Sequence, residues 1–491
     1  MSLDKVSYFH RFRWVYCQLE ALRHSLAPSL RKILEDLPDT LDETYERVLR
    51  EINKANREHA HRLLQCLTVA HRPLRVEELA EVLAIDFEAP AHGGIPQPNP
   101  NWRWADHHEA VLSTCSSLIA IVDEGDSQVV QFSHFSVKEY LTSDRLSRSS
   151  DDISRYRILL EPANTVLAQA CVAALLRLND HVNRETAGDI PLVNYAARYW
   201  FDHARFEGVS SNIQDAMEYF FDADKPHWAA WCQVQTIDEW WGWFTPDEGD
   251  DHVSPLYYAS LGGFYDVAER LVDKHPDDIN SRGGLLITPL VAALRGKHFD
   301  VADLLHRHGA YLDVQDNGGH TPLHESCRTG VLDIVKWLLE RGADADALCC
   351  KLYSPVHVSA DNGSLQALKL LIVHNANIDI KTVHGKRPLH VAASPNVQRD
   401  HVEIMQLLLD KGADPNARDK NGSTPLHHSS WWKRAVGYPA TQGTVEGTRL
   451  LIKHGADVNA EDNEGRTPMQ VALENGRDDM ATCLSENGAM G

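Results

Sequence analysis

Four histidines, His324, His357, His390 and His427, recur in the C-terminal half at intervals of 33, 33 and 37 residues. Imidazoles at a regular spacing raise metal ligation first, because a neutral ring nitrogen is a common ligand for zinc. Each ring, however, follows a prolyl turn, in "TPLH", "SPVH", "RPLH" and "TPLH". There Thr or Ser caps a helix that starts at Pro, and the ring is placed to bond neighbouring backbone or the capping hydroxyl. A tetrahedral site needs converging donors, and the nine cysteines form no C-x-x-C pair, only Cys349 and Cys350 being adjacent. No metal is expected. Phosphate chemistry lacks its motif as well: Gly296-Lys297 and Gly385-Lys386 have neither the upstream glycine nor the following hydroxyl of G-x-x-x-x-G-K-[ST]. No nucleophile motif or paired acid and base stands out. The chain reads as a non-enzyme that needs no cofactor.

The elements that carry the histidines are repeated. Pro255, Pro289, Pro322, Pro355, Pro388, Pro425 and Pro468 head seven similar segments at spacings of 34, 33, 33, 33, 37 and 43 residues. Pro at the first helical position sacrifices no needed N–H and already has helical φ. Gly330, Gly363 and Gly476 break one helix from the next, and a second helix such as "DIVKWLLERG" places Val335, Leu338 and Leu339 on one face. Gly342, Gly412 and Gly455 suit a left-handed C-cap, with Asn375 in that place once. "DNGG", "DKNG" and "DNEG" are turn tips. Turn, helix, helix and turn in about 33 residues resembles the ankyrin repeat, over residues 251–491. One such unit cannot bury its leucines alone, so the fold expected is a curved α-solenoid with short β-turn fingers.

The resemblance places function in the fingers and inner helix face, which do not pack. By register these include Asn317, His320, Arg328, Thr329, Lys351, Tyr353, Asp361, His384, Lys386, Lys420 and Asn421. The fifth repeat carries four extra residues and the sixth ten, the latter in "SSWWKRAVGYPATQGT". Trp431, Trp432, Lys433, Arg434 and Tyr438 have the composition of an interaction hot spot. Equally, the tryptophans could fold back over the stack. A protein ligand on the concave face is the partner expected.

In the N-terminal half, Thr40 and Glu43 form a capping box ahead of Leu41, Tyr45 and Val48. "HAHRLLQCLTVA", "RPLRVEELAEVLAI", a polar and Pro-rich stretch "APAHGGIPQPNPNW", "DHHEAVLSTC", the hairpin "SLIAIV" and "QVVQF", and "HFSVKEYL" follow. Helices with a two-stranded wing describe a winged helix. The candidate recognition segment, residues 106–116, has no Lys or Arg, and the wing tip carries Asp123, Glu124 and Asp126. Phosphate contact needs the opposite sign, and a formal charge of -22 repels polyanions in general. No nucleic acid is expected, and no membrane, since the longest apolar run, residues 166–176, is too short to span one.

The order "FRWVYCQLEALR", "LPDTLDETYERVL", "RPLRVEELAEVLAI", "SLIAIV" and "FSHFSVKEYL" resembles the segment after the nucleotide-binding core of NACHT-type (STAND) signalling ATPases of filamentous fungi. Many of these end in ankyrin repeats. The resemblance implies that residues 12–23 are the tail of an ATPase domain whose P-loop body precedes Met1, and that oligomerisation would depend on that body. It also implies that His134 could contact the β-phosphate of ADP; the residues themselves allow a plain helix cap with Ser133 or Ser136. The expected division is 1–55 ATPase tail, 56–148 winged helix, 149–250 helical connector and 251–491 ankyrin repeats. In the connector, Trp228, Trp231, Trp240, Trp241 and Trp243 either pack against the first repeat or line a partner pocket. The absence of a visible secretory signal and of a disulfide framework points to the cytoplasm. The function expected is protein recognition within a NACHT-ankyrin-like receptor, serving non-self recognition or regulated cell death by resemblance, or else a stand-alone ankyrin adaptor.

Overall fold

The computed structural model describes residues 40–91, 95–115, 117–125, 127–178, 190–234, 253–283, 287–394, 401–431 and 442–489. Residues 12–23, Trp240, Trp241, Trp243, Trp432, Lys433, Arg434 and Tyr438 lie outside them. The chain is mainly helical, with a winged helix ahead of ankyrin-type helix pairs, and divides into two compact units, Met1–Leu285 and Leu286–Gly491.

The first unit begins with the helix Leu41–Glu51. The Thr40 hydroxyl accepts from the Glu43 N–H at 3.2 Å and the Glu43 carboxylate accepts from the Thr40 N–H at 3.2 Å. The helices Arg57–Val69, Val76–Leu83 and His107–Cys115 enclose the buried side chains of Leu63, Leu64, Leu79 and Val111. The wing gains a strand beyond the expected hairpin: Leu74–Arg75 pairs antiparallel with Ser127–Phe132, which pairs in turn with Ile119–Glu124. The Pro-rich stretch is also more ordered than its composition indicated, because Ile85–Ala91 pairs with Ile95–Pro98. Ile85 and Ile95 are buried there, and prolines are tolerated at strand ends, where a ladder N–H can be spared.

Ion pairs brace this module, and one of them ties it to Arg177, just after the helix Leu160–Leu175. Buried Glu81 holds Arg103 at 2.5 Å and also Arg177. Buried Glu78 takes Arg72 through both oxygens, at 2.8 and 2.6 Å. The connector helices Val193–Ala204, Gln214–Phe220 and Pro226–Val234 then build an aromatic cluster around Trp200, which is 0% exposed. Its ring lies 5.1 Å from Phe220, 5.9 Å from Trp231 and 6.1 Å from Phe264. Trp228 and Trp231 stand 5.8 and 5.0 Å from Tyr258. Tyr258 and Phe264 belong to the first, atypical helix pair, Pro255–Gly262 and Tyr265–Lys274, so these two tryptophans pack on the opening repeat.

In the second unit, six helix pairs follow, from Pro289–Arg295 with Phe299–Arg307 to Pro468–Glu474 with Asp478–Glu486. Leu305, Leu338, Leu371, Leu408, Leu451 and Leu484 fill the same place in successive pairs, each 0% exposed. This row is the seam that makes one repeat depend on the next. Gly342, Gly412, Gly455 and Asn375 take φ of 89°, 93°, 88° and 62°, as left-handed C-caps require.

Candidate protein interface

The fingers are joined side by side by backbone hydrogen bonds. Cys350 N donates to Gly318 O at 3.0 Å, Val383 N to Lys351 O at 3.1 Å, Lys420 N to His384 O at 3.0 Å, and Asn463 N to Asn421 O at 2.9 Å. Close approach dictates the glycines. A Cβ on Gly319 would stand 2.8 Å from Cys350 N, and one on Gly385 2.9 Å from Lys420 N, with φ at +74° and +77°. In the finger between them the same place is taken by Leu352, at φ 55°. A leucine there is strained by roughly 1–2 kcal/mol, and it is 40% exposed. Leu352→Gly should therefore raise the stability of the second unit by about 1 kcal/mol in urea unfolding; no change would mean that the backbone strain is relieved locally.

The four histidines join repeats from within. In His324 the Nδ1 accepts from the Thr321 N–H at 3.2 Å and the Thr321 hydroxyl at 2.9 Å, while the Nε2–H donates to Tyr353 O at 2.9 Å. His357 does the same with Ser354 and Lys386 O, and His427 with Thr424 and Arg466 O. His390 accepts from Arg387 N at 3.1 Å and donates to Ala417 O at 3.0 Å. Both ring nitrogens are thus committed, which removes them as metal ligands. Among the described residues no three His, Cys, Asp or Glu side chains gather as a metal site.

Burial disfavours the charged imidazolium and holds all four rings below their ordinary range, His357 and His390 at about 4. The unfolded chain, with rings near 6.5, takes up protons that the folded one refuses. Stability is full above pH 6.5 and falls as the pH drops towards 4. Each of these two rings should cost on the order of 2 kcal/mol at about pH 5 relative to neutral pH, read from paired urea titrations.

A further buried pair was not legible from the repeats. His428 Nε2 donates to Asp419 Oδ2 at 2.9 Å, with both side chains almost fully enclosed. Burial alone would push the Asp419 carboxyl up, but hydrogen bonds from His428, Ser423 N and Asn421 N outweigh it and hold it below the usual range. Burial keeps His428 neutral against the pull of Asp419.

Asn317, Lys351, His384, Lys420 and Asn421 are exposed on the finger row, and Arg328 and Thr329 are exposed at the end of the helix Pro322–Thr329. Arg328 is already held by Glu325 at 2.8 and 2.6 Å, and exposed His320 lies 3.3 Å from Asp316. Tyr353, Asp361 and Lys386 are half-buried, so these three do pack: the Tyr353 ring is 5.4 Å from His357. Trp431 is 42% exposed beside His428, ring to ring at 5.6 Å. The sequence reading passed over exposed Leu352, and Leu348 just before the same finger; for Leu352 the signal was a leucine where the register places glycine.

In the first unit, His134 N-caps the helix Phe135–Thr142. Its Nδ1 accepts from Ser136 N at 3.2 Å and lies 2.6 Å from the Ser136 hydroxyl, which is 2.8 Å from the Tyr45 hydroxyl. The helix His107–Cys115 presents His107, Glu109 and Leu112 to solvent and no cation.

Against known proteins, the family model "Ankyrin repeats" matches residues 256–349, 356–438 and 397–490, and "GPI inositol-deacylase, winged helix domain" matches residues 45–152. "Azaphilone pigments biosynthesis cluster protein L" of Monascus ruber is 29% identical over 296 residues, covering 56% of this chain and 61% of that protein. An ankyrin repeat protein of Rickettsia felis is 44% identical over 71 residues, 14% of this chain and 31% of its own length. Alpha-latrocrustotoxin-Lt1a of Latrodectus tredecimguttatus is 35% identical over 69 residues, 14% of this chain and 5% of the toxin. The chain thus spans less than two thirds of the length of these relatives. Together the matches identify a winged helix of the GPI inositol-deacylase type followed by ankyrin repeats, a combination whose repeats imply protein–protein interaction.

Proposed function

We propose that this chain is the recognition part of a NACHT-ankyrin-like signalling receptor, binding a protein ligand on its fingers and inner helices and hydrolysing no nucleotide itself. The observation that carries this is the hydrogen-bonded finger row, which holds exposed polar and basic side chains in fixed register. The winged-helix match supports the receptor setting. In this reading the protein acts in the cytoplasm, ligand binding releases an inhibited state of a nucleotide-binding body, and assembly for non-self recognition or regulated cell death follows. His134 serves as a helix cap, since its Nδ1 is committed to Ser136.

The test uses the full chain as bait, with cross-linking, against a variant carrying Asn317→Ala, His320→Ala and Lys351→Ala. A saturable protein partner whose capture drops about tenfold in the variant supports recognition by the fingers, about 1.4 kcal/mol in binding. Capture that is unchanged assigns recognition elsewhere. Calorimetric titration with ATP and ADP should show no saturable heat, and saturable binding would overturn the non-enzymatic part of the reading. The stand-alone adaptor is separated by immunoblot of native protein: a band at 55.1 kDa favours the adaptor, and a much larger one the receptor.

A further inference from the structure

The fingers differ in charge along the row. The first full finger, residues 316–320, begins with Asp316, whose carboxylate accepts from Gly318 N and His320 N and shapes the turn. The last, residues 462–466, begins with Asp462, which does the same for Glu464 N and Arg466 N. In two of the three fingers between, that aspartate is replaced by Cys349 and Thr382. The Thr382 hydroxyl takes over the turn bonds, accepting from His384 N at 3.3 Å and Lys386 N at 3.2 Å. In a third, Asp419 keeps its place but is buried against His428, so its charge does not face solvent.

Three consecutive fingers are therefore stripped of exposed carboxylate while keeping Lys351, His384, Lys386 and Lys420. Among the described residues no carboxylate comes within ion-pair distance of these lysines, whereas the outer fingers keep carboxylates beside their basic side chains: Asp316 lies 3.3 Å from His320, and Asp462 and Glu464 hold Arg466. Opposing charges nearby are half-buried Asp361, at the end of the helix Pro355–Asp361, and Asp379, which is within 3.5 Å of Arg387. The same run carries Leu348 and the strained Leu352, 38% and 40% exposed. A non-glycine side chain kept in the left-handed region at a surface tip is the kind of strain that accompanies a binding role.

Spacing restricts what can match these cations. Packed helices of neighbouring repeats stand roughly 8–10 Å apart, and a chain extended in the polyproline II conformation rises about 3.1 Å per residue. Three residues per turn put carboxylates at every third position of such a chain on one face, about 9 Å apart and in step with successive fingers. A nucleic-acid duplex presents a charge about every 1.7 Å, far denser than one lysine per finger can neutralise. We propose that the fingers of residues 349–353, 382–386 and 419–423 bind an extended acidic segment of a partner protein, with Asp or Glu at about every third position and an apolar side chain on Leu348 and Leu352. This rests on the recognition reading above and names its ligand class.

The test is fluorescence anisotropy of the full chain with labelled peptides carrying Glu at every third position and one Leu, the same composition with the Glu residues contiguous, and the spaced peptide with Lys for Glu. The expected result is preference for the spaced Glu peptide. Lys351→Glu with Lys420→Glu should weaken it at least tenfold and transfer preference to the Lys peptide, and Leu352→Gly should weaken it several-fold while stabilising the fold. Equal binding of spaced and contiguous Glu peptides, unchanged affinity in the charge-reversed variant, or tighter binding of a single-stranded RNA would each overturn the proposal. If the bait experiment still yields a finger-dependent partner while charge reversal leaves its capture intact, this inference fails and the recognition reading stands.

Discussion

Trp200→Ala is expected to destabilise the first unit by about 4 kcal/mol, measured by urea unfolding followed through tryptophan fluorescence. Trp200 is fully buried in the helix Val193–Ala204 and meets Phe220, Phe221, Trp231 and Phe264. Removing an indole from such a site forfeits its transfer energy and leaves a cavity that rigid aromatic neighbours fill poorly, typically 3–5 kcal/mol. Its indole N–H has no hydrogen-bond partner among the described residues, nor has that of Trp231. Trp200→Phe removes the orphaned donor along with part of the volume, so it should cost less than about 1.5 kcal/mol. A Phe variant as damaged as the Ala variant would show that the N–H is satisfied in solution, for example by a bound water. The functional consequence is local: this cluster holds Phe264 and Tyr258 of the opening repeat, whose exposed apolar ends would otherwise invite aggregation.

His390→Ala is the second large effect, about 3 kcal/mol on the second unit. It strands the Arg387 N–H and the Ala417 carbonyl, both bonded to the ring, and each buried orphan costs roughly 1–3 kcal/mol. His390→Gln tests the division of labour. In the last repeat Gln470 stands in the histidine place, and its Oε1 accepts from Thr467 N at 3.0 Å. A glutamine can keep the cap without the reach to the next finger, so His390→Gln should lose only about 1–2 kcal/mol. It should also flatten the pH dependence by the share that His390 supplies. Because repeats are stabilised through their interfaces, the Ala variant should separate unfolding into two transitions on either side of residue 390. A single transition with unchanged midpoint would mean that the bridge is replaced by other contacts.

The repeat architecture was legible because its signals are local. A capping Thr or Ser before Pro, a left-handed Gly after a leucine pair and a turn tip each act over a few residues, and recurrence at about 33 residues multiplies the evidence. The wing hairpin and the Thr40 capping box were readable for the same reason. The strand Leu74–Arg75 and the pairing of Ile85–Ala91 with Ile95–Pro98 were not, since two residues or a proline-rich stretch carry no periodicity; the first is decided by the distant strand Ser127–Phe132, and the second by the burial of Ile85 and Ile95.

For the candidate interface, the sequence by itself determined which residues occupy the fingers and that the histidines cap helices. Only the tertiary structure decided what those residues do. The bond from His324 to Tyr353 O spans 29 residues, the His428 and Asp419 pair lies inside, and Leu352 takes the left-handed backbone of the finger turn, at φ 55°. Local propensity fixes what a residue can adopt, whereas burial and the pairing of distant backbone groups fix which charges remain outside. That is why an aspartate at position 419 reads as an exposed turn residue in the sequence and is a buried hydrogen-bond acceptor in the fold.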